Sequence, residues 1–148
     1  SGNEFLLPDN GLTRLNNTYS EDFANLIKMS IEIPKHNSVY NAVTHSPVSL
    51  MEYIKLAGEK LGIDPKAISA KGEFFKEKGI QPWAEIPMWL GGPDMMLDNS
   101  KVINDFGIKF QSFAESLDGC IKYYSLLGWP EPKSGLKPDK EAELIKEL

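Results

Sequence analysis

Apolar positions along this chain recur mainly at helical spacing, in blocks separated by turn-rich segments. Ser20 reads as a helix cap, with Glu21 and Asp22 in the first turn, where the helix dipole favours acidic groups. Phe23, Ile27, Ser30 and Ile31 follow at helical spacing with Leu26 beside them, and Pro34 closes the helix. Ser49-Leu-Met-Glu52 is a capping box, in which each side chain satisfies an orphan amide of the other. It predicts a helix with Leu50, Tyr53, Ile54, Ala57 and Leu61 on its apolar face and Gly62 just past its end. Glu73 to Lys78 forms one or two helical turns ended by Gly79. Asp98 or Asn99 caps a short helix that carries Val102, Ile103 and Phe106 and stops at Gly107. A second capping box, Ser112-Phe-Ala-Glu115, launches the longest helix, with Leu117, Cys120, Ile121, Tyr124 and Leu127 inward and Gly128-Trp129-Pro130 as its stop. A polar connector over 131–138 leads to a last amphipathic helix from about Pro138, carrying Ala142, Leu144, Ile145 and Leu148.

Extended segments are short. Phe5 to Pro8 precedes an Asp9-Asn10-Gly11 turn, whose residues tolerate positive φ. Its flanks form either a small hairpin or extended strands without partners. Ser38 to Val43 is a β-branched and aromatic run bounded by turn residues and predicts a strand, as does Ala67 to Ala70. The expected class is α/β, mostly helical, with a few short strands.

Ile80 to Lys101 fits neither pattern. It holds two tryptophans, three prolines and two glycines, too many breakers for a continuous helix or a central strand. It is also too apolar for a solvated linker. An ordered, partly buried loop is expected. Trp83, Ile86, Met88 and Trp89 either plug the core or wall a ligand pocket, since such pockets are mostly apolar and aromatic.

With 148 residues the chain makes one domain of common size. A net charge of −5 and scattered Lys and Arg argue against nucleic acid as a partner. No apolar run approaches membrane-spanning length. The single cysteine, Cys120, cannot close an internal disulfide, which favours a reducing, cytoplasmic setting, and it reads as a core residue rather than a nucleophile. His36 and His45 lack companions at metal-ligand spacing, so no metal site is expected. No phosphate-cradling glycine motif occurs; Gly91-Gly92-Pro93 has neither the spacing nor a following Lys. Glu85, Asp94 and Asp98 near the aromatic loop read as capping and solvated groups. The chain opens Ser1-Gly2-Asn3 without a methionine, as a piece of something longer would.

Several ordered segments resemble the C-terminal half of extended short-chain dehydrogenases/reductases, the NAD-dependent epimerase/dehydratase family. These are Asn17-Thr-Tyr-Ser-Glu-Asp22-Phe-Ala, Val39-Tyr-Asn-Ala-Val43, and Pro47-Val-Ser-Leu-Met-Glu-Tyr53 with Leu61-Gly62. Pro82 to Leu90, Leu97 to Lys101, Phe106-Gly with Phe113 to Asp118, and Gly135-Leu with Lys140 to Leu144 resemble the 2′-hydroxyisoflavone-reductase-like subgroup. The resemblance implies that residues 1–43 supply the last elements of a Rossmann-type sheet and that 44–148 form the substrate-binding lobe. It implies that NAD or NADP and the catalytic Tyr and Lys belong to an N-terminal half that this chain lacks. The chain would then bind no cofactor and catalyse nothing alone. Arg14 and Asn17 would be its polar contacts to a sugar- or ring-carbonyl-like substrate, beside apolar walls from Trp83, Met88, Trp89 and Met95. Arg14 as a solvated group and Asn17 as a turn cap are equally open readings. The competing class is a stand-alone binding module, or one that forms homo-oligomers through an exposed apolar face.

Overall fold

The computed structural model describes residues 4–43 and 46–148; Ser1 to Asn3, Thr44 and His45 lie outside the described residues, and with them the reading of His45. Strand β1 (Glu4–Pro8) carries Leu6 and Leu7 into the core. It does not form a hairpin across the Asp9-Asn10-Gly11 turn. The three turn residues take φ of 48°, 56° and 63°, which redirects the chain without folding it back along β1. The turn is pinned to a distant segment: the Asp9 carboxylate accepts the Gly72 N–H at 2.8 Å, and the Asn10 N–H donates to Ser69 Oγ at 3.0 Å. β1 accordingly pairs in parallel with Lys66–Ala70, Leu6 facing Ile68 across the ladder. The short Arg14–Leu15 strand, β2, pairs antiparallel with Val48–Ser49, β3, which makes Lys66–Ala70 the fourth strand, β4. Strand partners for both flanks of the turn therefore lie within the chain.

Helix α1 (Ser20–Glu32) begins with Ser20 as its first helical residue and Tyr19 at the cap position. It buries Asp22 and Leu26, while Phe23, Ile27 and Ile31 face outward. Helix α2 (Leu50–Leu61) starts at the predicted capping box, with Ser49 Oγ accepting the Glu52 N–H at 3.2 Å and the Glu52 carboxylate accepting the Ser49 N–H at 2.7 Å. Ser49 is buried and its hydroxyl accepts the Glu52 N–H, so Ser49→Ala is expected to lower stability by about 1 kcal/mol in urea unfolding. Helices α3 (Gly72–Glu77), α4 (Ser100–Phe106), α5 (Phe113–Leu126) and α6 (Pro138–Lys146) follow where the pattern places them. At α4 it is Asp98 whose carboxylate takes the Ser100 N–H, while the Asn99 amide donates to the Val43 carbonyl.

Ser38 to Val43 is not a strand. Among the described residues no strand pairs with it, and carbonyls of the segment are met by side chains instead: Lys101 Nζ donates to Val39 O and Asn99 Nδ2 to Val43 O. Tyr40 packs edge-on against Phe106 at 5.2 Å and donates to Asp105 at 2.7 Å. On α5, Leu117 is buried and Cys120 and Ile121 half-buried, but Tyr124 and Leu127 are exposed. Contacts with α2 come from the first half of α5, through Phe113 against Tyr53 and Asp118 against Lys60. Beyond that, Tyr124 stacks on Trp129 at the surface.

Two apolar clusters result. One gathers Leu6, Leu7, Leu50, Phe75, Ile80, Ile86, Trp89 and Leu144 around the β1–β4 pair. The other joins Leu26 to Val102, Phe106, Ile108 and Phe110. α6 closes over β1 through Leu144 and through Glu141, whose carboxylate accepts the Leu6 N–H at 2.9 Å.

Candidate functional site

The segment from Ile80 to Asn99 has no helix and no ladder, yet its backbone is extensively bonded. The Trp83 N–H donates to Trp89 O at 2.9 Å, the Glu85 N–H to Gln81 O at 3.0 Å, and the Gly135 N–H to Ala84 O at 3.0 Å. Two of its non-glycine residues, Trp83 and Met88, adopt left-handed φ of 65° and 63°. Such conformations persist only where the surroundings over-determine them, and they concentrate at ligand sites.

The two tryptophans have opposite fates. Trp89 is 2% exposed and lies against Phe75 with ring centroids 5.2 Å apart, a core residue with no face for a ligand. Trp83 is 55% exposed. Ile86 and Met88 form one wall of a cavity of about 270 Å³, with Phe5 from β1, Tyr53 and Ile54 from α2, and Leu136 from the connector opposite. Glu85 and Glu141 stand at the same cavity. Another depression, of about 540 Å³ at the end of α2, is edged by Lys55, Glu59 and Asp64 and is lined by no residue of the aromatic loop.

Both cavity carboxylates are engaged. Glu85 accepts Lys140 Nζ at 2.6 Å and the Gln81 N–H at 2.8 Å, and these hydrogen bonds, Lys140 first, hold its carboxyl below the ordinary range. Glu141 holds the Leu6 N–H. Tyr53 also borders a second cavity of about 170 Å³ with Asn17, Tyr19, Ser116 and Cys120. Burial pushes the Tyr53 phenol and the Cys120 thiol up, so both stay protonated at neutral pH.

Arg14 and Met95 are brought together, but through their backbones: the Met95 N–H donates to Arg14 O at 3.0 Å, and the Arg14 N–H to Asp94 Oδ1 at 2.8 Å. The Arg14 guanidinium donates to Pro47 O at 3.1 Å. Neither residue lines the 270 Å³ cavity, where Met88 alone of the six sequence candidates appears; Asn17 lines the smaller one. Nothing local in the sequence marks Tyr53, Ile54 and Leu136 as site residues. Tyr53 and Ile54 read as an ordinary apolar helix face and Leu136 as connector, and only tertiary packing turns them toward one space.

The carboxylates held low predict a pH dependence. Glu85, Glu52, Asp98 and Glu115 each titrate below their ordinary values because hydrogen bonds favour the charged form. A depressed folded-state value contributes stability above the unfolded value and loses it as pH falls. Urea midpoints are therefore expected to be flat from about pH 8 to 6 and to drop below about pH 5. The drop should be shallower in Glu85→Gln. Among the described residues, no helix is long and apolar enough to cross a membrane, and no group of three or more His, Cys, Asp or Glu side chains is placed to hold a metal ion.

Neither a protein-family model nor a curated protein sequence matches the chain. Solved structures do. UDP-glucuronic acid 4-epimerase from Bacillus cereus, in complex with NAD, superposes with a TM-score of 0.60 at 15% identity over 82% of this chain and 34% of its own. RMD from Pseudomonas aeruginosa, complexed with NADPH, gives 0.64 at 10% over 86% and 37%. A conserved protein of unknown function from Silicibacter pomeroyi gives 0.63 at 17% over 83% and 41%. The chain spans roughly two fifths or less of the length of each of these structures. It has the α/β fold of one part of structures that include NAD- and NADPH-bound proteins, one of them an epimerase.

Proposed function

We propose that the chain is the substrate-binding portion of an NAD(P)-dependent epimerase, dehydratase or reductase of the extended short-chain type. One observation carries this reading: most of the chain superposes on less than half of proteins solved with NAD or NADPH. NAD or NADP would be held by a separate nucleotide-binding half. Among the described glycines, Gly62 and Gly107 close helices, Gly72 opens α3 but gives its N–H to the Asp9 carboxylate, and Gly91 lies against the Pro82 ring. Hydride chemistry would come from the nicotinamide, and this portion would bind and orient a small carbonyl- or sugar-like substrate in the cytoplasm. Calorimetric titration of the 148-residue chain with NAD⁺, NADH, NADP⁺ and NADPH tests the division of labour. No heat below about millimolar ligand is expected. Micromolar binding by the chain alone would sink it.

A second reading, a stand-alone module that self-associates, draws on one observation. Phe23, Ile27 and Ile31 of α1 and Tyr123, Leu126 and Trp129 at the end of α5 are exposed apolar side chains. Light scattering at high concentration separates the two: a mass staying at 16.6 kDa counts against self-association.

A further inference from the structure

We infer that the cavity between the aromatic loop, β1 and α2 takes a compact, uncharged, ring-bearing molecule and rejects phosphate-bearing ones. Size is the first argument. At about 270 Å³ the cavity falls just below the usual range for small-ligand sites, roughly 300–1,000 Å³, and is too small for a nucleotide sugar. Its walls are the second. Phe5, Ile54, Ile86, Met88 and Leu136 supply flat and branched apolar surface, and Tyr53 is the one lining residue that carries a neutral side-chain donor. A ring with one hydroxyl or carbonyl matches that inventory.

Charge is the third and decides against anions. Glu85 and Glu141 place two carboxylates at the cavity, and no lysine or arginine lines it. The nearby Lys140 ammonium is already bonded to Glu85. Phosphate recognition relies on guanidinium forks or helix N-termini. Arg14, the single arginine of the chain, is bonded to Pro47 O and does not line the cavity. With a net charge of −5, the long-range field opposes anions as well. Calling the bound molecule a substrate rests on the function proposed above; its binding does not.

The test compares two probes that share a ring and differ in charge, 1-naphthol and 1-naphthyl phosphate, titrated into the intact chain by calorimetry. Naphthol is expected to bind at one site at least about tenfold more tightly than the phosphate. Leu136→Trp, which fills the half-buried rim, should weaken naphthol by about tenfold or more, and Ile54→Phe should do the same if the first variant folds poorly. Equal or tighter binding of the phosphate, no naphthol binding below millimolar, or binding indifferent to both folded variants overturns the inference. Those outcomes are separable from failure of the enzyme reading, which micromolar dinucleotide binding reports without touching the naphthol comparison.

Discussion

Phe75→Ala is expected to lower the unfolding free energy by about 3–5 kcal/mol, the range for deleting a buried aromatic ring. Phe75 is fully buried, and its ring meets both Phe74, at 5.6 Å, and Trp89, at 5.2 Å. It sits in the cluster where β1, α2, the aromatic loop and α6 converge through Leu7, Leu50, Ile86 and Leu144. Neighbours drawn from four separate segments cannot all collapse into the space left behind, so most of the cavity cost remains. Domains of this kind have about 5–15 kcal/mol in total. Urea unfolding read by tryptophan fluorescence reports the loss, because Trp89 is the ring's partner. The same variant should weaken naphthol binding, since Ile86 and Met88 belong to this packing and to the cavity wall. A loss under about 1 kcal/mol would mean the aromatic loop is not locked to the core as described.

Gly58→Ala is expected to destabilise by about 1–3 kcal/mol, opposite in sign to helix propensity. Replacing a mid-helix glycine by alanine ordinarily stabilises by up to about 1 kcal/mol. Here the chain leaving α2 turns at Gly62 and crosses back over Gly58, whose carbonyl accepts the Ile63 N–H at 2.9 Å. A Cβ on Gly58 would lie 2.6 Å from the Ile63 carbonyl oxygen and 3.0 Å from Pro65 Cδ. Backbone cannot rotate out of the way as a flexible side chain can. Gly62→Ala is the comparison, because a Cβ there meets nothing within 4 Å and its cost, about 1 kcal/mol, comes from a φ of 67° alone. Equilibrium urea unfolding of both variants checks the order. A neutral or stabilised Gly58→Ala would show that the turn after α2 relaxes freely.

Much of the fold was legible because its signals are local. Both capping boxes need only a Ser and a Glu three residues apart, and both form. Gly62 and Gly107 end helices because the left-handed stop depends on one residue. Asp9-Asn10-Gly11 turned as its residues allow, yet what the turn connected was not legible. Pairing β1 with β4 joins segments about sixty residues apart, and nothing near either segment encodes the partner. Ser38 to Val43 shows the reverse case. Strand propensity was present, but a strand needs a ladder, and side chains of the α4 region reached the carbonyls first.

The sequence by itself determined the helices, the two capping boxes, the irregular aromatic loop, and the lack of a phosphate-cradling glycine motif. Each follows from interactions within a few residues along the chain. Tertiary structure alone decided which tryptophan is sealed in the core and which is exposed. It also decided that Tyr53, Ile54 and Leu136 share a cavity with Met88, and that Arg14 binds a backbone carbonyl away from it. Those outcomes depend on which distant surfaces exclude water from one another, and that competition is settled only when the whole chain packs.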